Sequence, residues 1–114
     1  METIFSKIVK KEIPAKVVFE DNLCLAFHDV APQAPTHIIL IPKTTEIDRI
    51  ANAKISHQEL LGHLLLKAAE IAQQQGLLDY RLVINNGEAA GQSVFHLHIH
   101  IIGGGSIPPM VRRG

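Results

Sequence analysis

Between Phe95 and Ile102 the chain reads Phe-His-Leu-His-Ile-His-Ile-Ile, with imidazole and aliphatic side chains in alternation. Successive side chains of a β-strand point to opposite faces. The stretch is therefore expected to be a strand, with His96, His98 and His100 on one face and Leu97, Ile99 and Ile101 buried on the other. Three histidines in a row are poor core filler, because each ring carries two nitrogens that need partners when buried. Gly91-Gln92-Ser93 lies just ahead and Gly103-Gly104-Gly105 just behind, and both are backbone able to approach a ligand closely. The histidine face is a candidate site, and the rest of the chain has to build the sheet that carries it.

A chain of 114 residues makes one domain, 1–114, with a single core and no room for a separate cofactor domain. Lys plus Arg and Asp plus Glu balance at 11 each, which leaves no basic field to hold a polynucleotide. The lone cysteine, Cys24, excludes an internal disulfide framework and suits a reducing cytosol. No apolar run approaches the roughly 18 residues that would span a bilayer. Met1-Glu2-Thr3 opens no secretory signal, so a cytoplasmic protein with no membrane partner is expected.

Thr3 to Lys10 carries Ile4, Phe5, Ile8 and Val9 at helical spacing, a short amphipathic helix ended by Glu12-Ile13-Pro14. Lys16–Glu20 and Leu23–His28 read as a hairpin turning at Asp21-Asn22. After a proline-containing loop, Thr36–Pro42 is apolar on both faces and is expected to be a central strand. Glu46–Ala53 is expected to hold a helical turn or two. A long helix follows, opened by Ser56-His57-Gln58-Glu59 as a capping box and closed near Gly76. Leu60, Leu61, Leu64, Leu65, Ala68, Ile71 and Ala72 form its core stripe. Gly62, Leu66 and Ala69 form a second stripe that predicts packing against another subunit. With Arg81–Asn85 as a further strand, the expected fold class is α+β: about five strands in a mostly antiparallel sheet, with one long and one short helix. Residues 103–114 are expected to be an extended tail after a chain reversal at the glycines.

The histidines allow several chemistries. Zinc accepts imidazole nitrogens, but at about 3.3 Å rise per residue His96 and His100 stand roughly 13 Å apart at their backbones, too far for one ion. No metal and no cofactor is therefore expected. Covalent catalysis fits better. A neutral imidazole presents one free lone pair, and a backbone carbonyl can hold the proton on the other nitrogen. His98, the central ring, is the expected nucleophile, and its neighbours can donate to an anionic electrophile or protonate a leaving group. Gly91-Gln92-Ser93 offers backbone N–H groups and a hydroxyl to an oxyanion, and Asn85 adds an amide. Those donors, with no Lys/Arg cluster close in sequence, point to a single phosphate. Seen alone, Ser93 and Asn85 would pass for turn residues.

His96-Leu97-His98-Ile99-His100-Ile101-Ile102 is the His-φ-His-φ-His-φ-φ pattern, φ being apolar, and it resembles the histidine-triad superfamily. Ile4-Phe5-Ser6-Lys7-Ile8, Ile13-Pro14-Ala15-Lys16, Phe27-His28-Asp29, Pro35-Thr36-His37 and Gly91-Gln92-Ser93-Val94 are each similar to segments of its nucleotide-binding (Hint) branch. The resemblance implies a two-fold homodimer of histidine-triad fold. It implies a purine nucleoside phosphoramidase that cleaves nucleoside 5′-monophosphoramidates or aminoacyl adenylates through a nucleotidyl-histidine. His98 would attack phosphorus, and His37, His96 and His100 would complete the catalytic set. Asn85, Gly91, Gln92, Ser93 and Val94 would lie near phosphate, and Asp29 would hold the ribose hydroxyls. Ile4, Phe5, Ile8, Ile13, Phe27, Val30 and Ile39 would shape a slot for the purine of an AMP- or GMP-type nucleotide. The alternatives are a dinucleoside polyphosphate hydrolase and a nucleotide-binding scaffold with incidental catalysis. His28, His57 and His63 match no motif, and Lys43 resembles the branch without an assigned role. Animal members resemble one another in a C-terminal tryptophan, and this chain has none.

Overall fold

The computed structural model describes residues 2–105. Thr3 caps the first helix, α1 (Ile4–Val9): its Oγ1 accepts from the Ser6 amide at 3.2 Å and its own amide donates to Ser6 Oγ at 2.8 Å. That reciprocal pair satisfies two amides a short helix would otherwise leave orphaned. The chain leaves α1 through Lys11, whose φ of +64° turns it out of helical geometry.

Five strands follow: β1 (Val17–Glu20), β2 (Cys24–His28), β3 (Thr36–Pro42), β4 (Tyr80–Val83) and β5 (Ile99–Gly103). They form one sheet in the order β1-β2-β3-β5-β4, with every neighbouring pair antiparallel. As the sequence predicts, β3 is the central strand. The period of two sorts its neighbours cleanly. Cys24, Ala26, Ile38, Leu40, Ile99 and Ile101 face one way, into a core completed by Leu64, Ala68, Ile71 and Ala72 of the long helix α2 (Gln58–Gln74). Leu25, Phe27, Ile39 and Ile41 face the other way and meet Phe5 and Ile8 of α1. The sheet thus has an α2 face and an α1 face, and the histidines lie on the second.

The histidine strand is shorter than expected. It joins the ladder only at Ile99, opposite Leu40. Extending that register would set Leu97 against Pro42, which has no N–H to give. The Leu97 amide donates instead to Ile47 O at 2.9 Å. The start of α2 also differs. Ser56 lies inside a 3₁₀ turn, Ile55–His57, that runs straight into the helix. The amide accepted there is that of Lys54, taken by His57 Nδ1 at 3.0 Å, so no Ser56–Glu59 capping box forms. The turn expected in Glu46–Ala53 is a 3₁₀ turn at Ile50–Asn52. At the far end Gly76 has the left-handed φ, +76°, that a helix C-terminus favours. Leu66, Gly62 and Ala69, the second stripe of α2, are exposed. Among the described residues no helix is long and apolar enough to cross a membrane. Of the expected tail, 103–114, Gly103 is the last residue of β5 and not tail, and 106–114 lie outside the described residues.

Candidate active site

His100 pairs with Ile39 across the β3–β5 ladder, and His37 pairs with Ile102. The two histidines are therefore diagonal neighbours on one face, and their rings meet with His37 Nε2 2.9 Å from His100 Nδ1. His98 continues the same face, its ring centroid 5.0 Å from that of His100. Phe5 of α1 approaches edge-on, with centroids 5.0 Å from His98 and 6.2 Å from His96. The short helix supplies an aromatic wall to the histidine row.

Hydrogen-bond partners assign the tautomers. His98 donates Nδ1–H to the carbonyl of His96 at 2.8 Å, which leaves Nε2 as a free lone pair. His96 donates Nε2–H to Pro42 O at 2.7 Å. His37 Nδ1 accepts from the Gln33 amide at 2.9 Å, so its proton sits on Nε2, facing His100 Nδ1 and 3.3 Å from Asp29 Oδ2. His100 then accepts on Nδ1 and carries its proton on Nε2. On that assignment His98 Nε2 is an unprotonated nitrogen and His100 Nε2–H a donor, each without a hydrogen-bond partner among the described residues.

Burial keeps the row uncharged. Loss of hydration pulls His98 below the ordinary histidine value, against the opposing His96 carbonyl and Asp29 charge. Burial lowers His96, helped by His98 and opposed by Pro42 O. It lowers His37 against the pull of Asp29. His100 falls furthest, to about 4, from burial first and then from repulsion by His98 and His37. At neutral pH all four are neutral bases and donors, not imidazolium ions.

Phe5, Ile8, Phe27 and Ile39 form the apolar cluster on this face, with Ile13 and Val94 packed against it. Ile4 is half-exposed and Val30 fully exposed, so neither belongs to that cluster. Asp29 lines a concavity of about 540 Å³ together with Lys16, His28, Val30, Pro32, Pro35 and His37. Lys16 and His28 carry no site role in the sequence reading, although both lie within segments that resemble the nucleotide-binding branch, Ile13-Pro14-Ala15-Lys16 and Phe27-His28-Asp29. Asp29 Oδ1 accepts from the Ala31 amide at 2.8 Å.

In the loop before the histidines, Asn85 donates Nδ2–H to Ala90 O at 2.9 Å, bracing a 3₁₀ turn at Glu88–Ala90. Gly91 takes φ +97°, a conformation that glycine adopts without strain. Its amide donates to Glu88 O, and that of Gln92 to Gly87 O. Neither amide is thus the oxyanion donor expected from sequence. The N–H groups of Ser93 and Val94 have no partner among the described residues. The Gln92 side chain is buried among backbone groups.

Among the described residues two groups bring three potential metal ligands within 4.8 Å of one another: Asp29, His37 and His100 on this face, and Asp21, Cys24 and His63 at the far side of the sheet. In the first group the His37–His100 nitrogens are already at hydrogen-bond distance. In the second, Asp21 Oδ2 accepts from His63 Nε2–H at 2.7 Å, and its Oδ1 takes the amides of Leu23 and Cys24. There the Cys24 thiol is pushed up to about 12 by burial and by Asp21, which makes it unreactive.

The fold is an antiparallel α+β sheet that carries a row of neutral histidines on one face, with His98 Nε2 unpaired among the described residues. The chain belongs to the HIT domain family, whose model matches residues 10–107. It is 59% identical over 111 residues to an uncharacterized HIT-like protein of Synechococcus elongatus, covering 95% of this chain and 96% of that one. It is 54% identical over 104 residues to the 14 kDa zinc-binding protein of maize, covering 90% and 81%. Among solved structures, a HIT family hydrolase of Legionella pneumophila superposes with TM-score 0.89 at 46% identity, covering 92% and 95%. A HIT family hydrolase of Clostridium thermocellum superposes with TM-score 0.89 at 37% identity, covering 96% of each chain.

Proposed function

We propose that this chain is a hydrolase of purine nucleoside 5′-monophosphoramidates or aminoacyl adenylates, working through a nucleotidyl-histidine. One observation carries the reading: the His98 Nδ1–H bond to the His96 carbonyl, which leaves Nε2 unprotonated and able to bond phosphorus. In the first step Nε2 attacks the α-phosphorus and the bond from phosphorus to the amine or acyl oxygen breaks. The His96 carbonyl stabilises the positive ring that forms; an amine leaving group takes a proton from solvent water, whereas a carboxylate leaves as the anion. In the second step water attacks the same phosphorus and releases its proton to solvent, the P–N bond to His98 breaks with the electron pair returning to Nε2, and the nucleoside monophosphate leaves. The Nε2–H of His100 and the Ser93 and Val94 amides suit the phosphoryl oxygens. Asp29 suits the ribose, and the cluster of Phe5, Ile8, Phe27 and Ile39 suits the base. Names of solved relatives that include "hydrolase" support the class.

The protein is read as a cytoplasmic two-fold homodimer. Support comes from the exposed stripe of α2 and from β4, an edge strand whose Tyr80 and Leu82 are exposed beside Ile84. The maize relative is named for zinc. The proposed nucleophile, His98, lies outside both three-ligand groups, so turnover is expected to survive chelation.

The test is a panel of AMP- and GMP-amidates, aminoacyl adenylates and diadenosine polyphosphates, assayed with and without chelator. Fastest turnover of a phosphoramidate, insensitive to chelator, is the expected result. Preference for the polyphosphates would make the chain a dinucleoside polyphosphate hydrolase. No turnover with tight, nucleotide-dependent partner binding would make it a scaffold.

A further inference from the structure

We infer that Gln92 is a positioning residue: its side chain meets no substrate and instead shapes Ser93–Val94 into a nest of amides for a phosphoryl group. The inference deepens the nucleotide reading above and rests on it. Gln92 is 2% exposed, and both N–H groups of its amide are used. Nε2 donates to Val94 O at 3.0 Å and to Asp48 O at 2.7 Å, while Oε1 accepts from the Gly87 amide at 2.8 Å. A primary amide has two N–H groups, so no N–H is left for a ligand.

The three bonds act on one short arc. The bond to Val94 O closes a ring around Ser93, which fixes the two peptide units whose N–H groups lack partners among the described residues. The bond to Gly87 fixes the other end of the loop. The bond to Asp48 O ties the ring to a segment that is itself anchored. Ile47 is fully buried, its carbonyl accepts from Leu97, and the Ala51 amide donates to Asn86 Oδ1 at 2.8 Å. Successive amides held by an outside brace form an anion-binding concavity without any cationic side chain. A phosphate monoester or amidate is the chemical class that such a pair would take, four residues ahead of His98.

Glutamate is nearly the same shape as glutamine but gives no N–H, so Gln92→Glu sets a carboxylate oxygen against two carbonyls. Gln92→Met keeps the bulk and adds no charge. Binding of AMP and of adenosine to the wild type and both variants is measured by calorimetry. Both variants are expected to lose AMP affinity by at least about tenfold while adenosine affinity stays within about twofold, since only the phosphate meets the arc. Equal weakening of both ligands, or of neither, overturns the inference while leaving the nucleotide reading intact. Wild-type protein that binds neither ligand overturns both. Should the variants not fold, the structure of the wild-type AMP complex decides. Gln92 still bonded to Asp48 O and Val94 O supports positioning, and its amide turned onto phosphate overturns it.

Discussion

His98 Nδ1 lies 2.8 Å from the carbonyl oxygen of His96, two residues back along the segment that leads into β5. A strand that was only a scaffold for imidazoles would leave each ring to choose its tautomer. Here the backbone makes the choice and directs the unprotonated Nε2 away from the protein's own hydrogen bonds. His98→Ala is expected to lower turnover of an AMP-amidate by at least about 10⁴-fold while AMP binding stays measurable. Single-turnover assays with titration of AMP check both halves. Turnover retained in that variant would remove His98 as the nucleophile.

The contact between His37 and His100 makes a second, independent prediction. His37 receives the Gln33 amide on Nδ1 and faces His100 with Nε2–H, and so holds the proton of His100 on the far nitrogen. In His37→Ala that constraint is lost, and His100 can carry its proton on Nδ1, where it serves no phosphoryl oxygen. The expected loss in kcat is about 10²-fold, the size seen when one oriented proton donor is removed. KM should change less. A fall in KM-derived affinity with kcat intact would contradict this role.

The buried row also sets a pH dependence of stability. His37, His96, His98 and His100 all titrate below the ordinary histidine value when folded, His100 at about 4. Below the unfolded value near 6.5 the unfolded chain binds protons that the folded one refuses, so stability falls as pH drops. The expected profile is flat above pH 6.5 and declines between about 6.5 and 4, with His100 alone contributing about 3 kcal/mol of that loss. Urea melts at half-unit pH steps would show it. Constant stability across that window would mean that the rings are protonated in the folded state.

Much of this was readable from residue order. The alternation at 95–102 fixed which side chains share a face, because period two survives even where the ladder does not. The helix stripe and Gly76 placed α2 for the same local reason. What escaped reading was set by distant partners. Pro42 ends the β3–β5 ladder two residues early and turns its carbonyl to His96, a meeting of positions 54 apart. The resemblance of Gly91-Gln92-Ser93-Val94 implies a place for Gln92 near phosphate, and residue order gives no sign that its side chain bonds Asp48 O, 44 positions away. Such backbone acceptors leave no mark in side-chain chemistry. The Ser56–Glu59 motif was a true local pattern that lost to a 3₁₀ turn placed one step earlier.

Away from the histidine row, the turn between β1 and β2 offers a test of how the fold is pinned. Asp21 Oδ1 accepts the amides of Leu23 and Cys24 at 2.8 Å each, and its Oδ2 accepts from His63 of α2 at 2.7 Å. These bonds hold its carboxyl well below the usual carboxylate range, against the opposing cost of burial. A charged acceptor with four donors, the Cys24 thiol at 3.3 Å being the fourth, joins the hairpin to the helix that covers the opposite face of the sheet. Asp21→Ala strands two turn amides and the imidazole, and is expected to cost about 2–4 kcal/mol. Lys67→Ala removes only the Lys67–Glu70 pair and a contact on the Phe19 ring, and is expected to cost under about 1 kcal/mol. Chemical denaturation of both variants makes the comparison. Because Asp21 lies on the sheet face away from the candidate site, kcat in Asp21→Ala should stay near the wild-type value below its melting range. A loss of activity in still-folded Asp21→Ala would show that the two faces of the sheet are coupled.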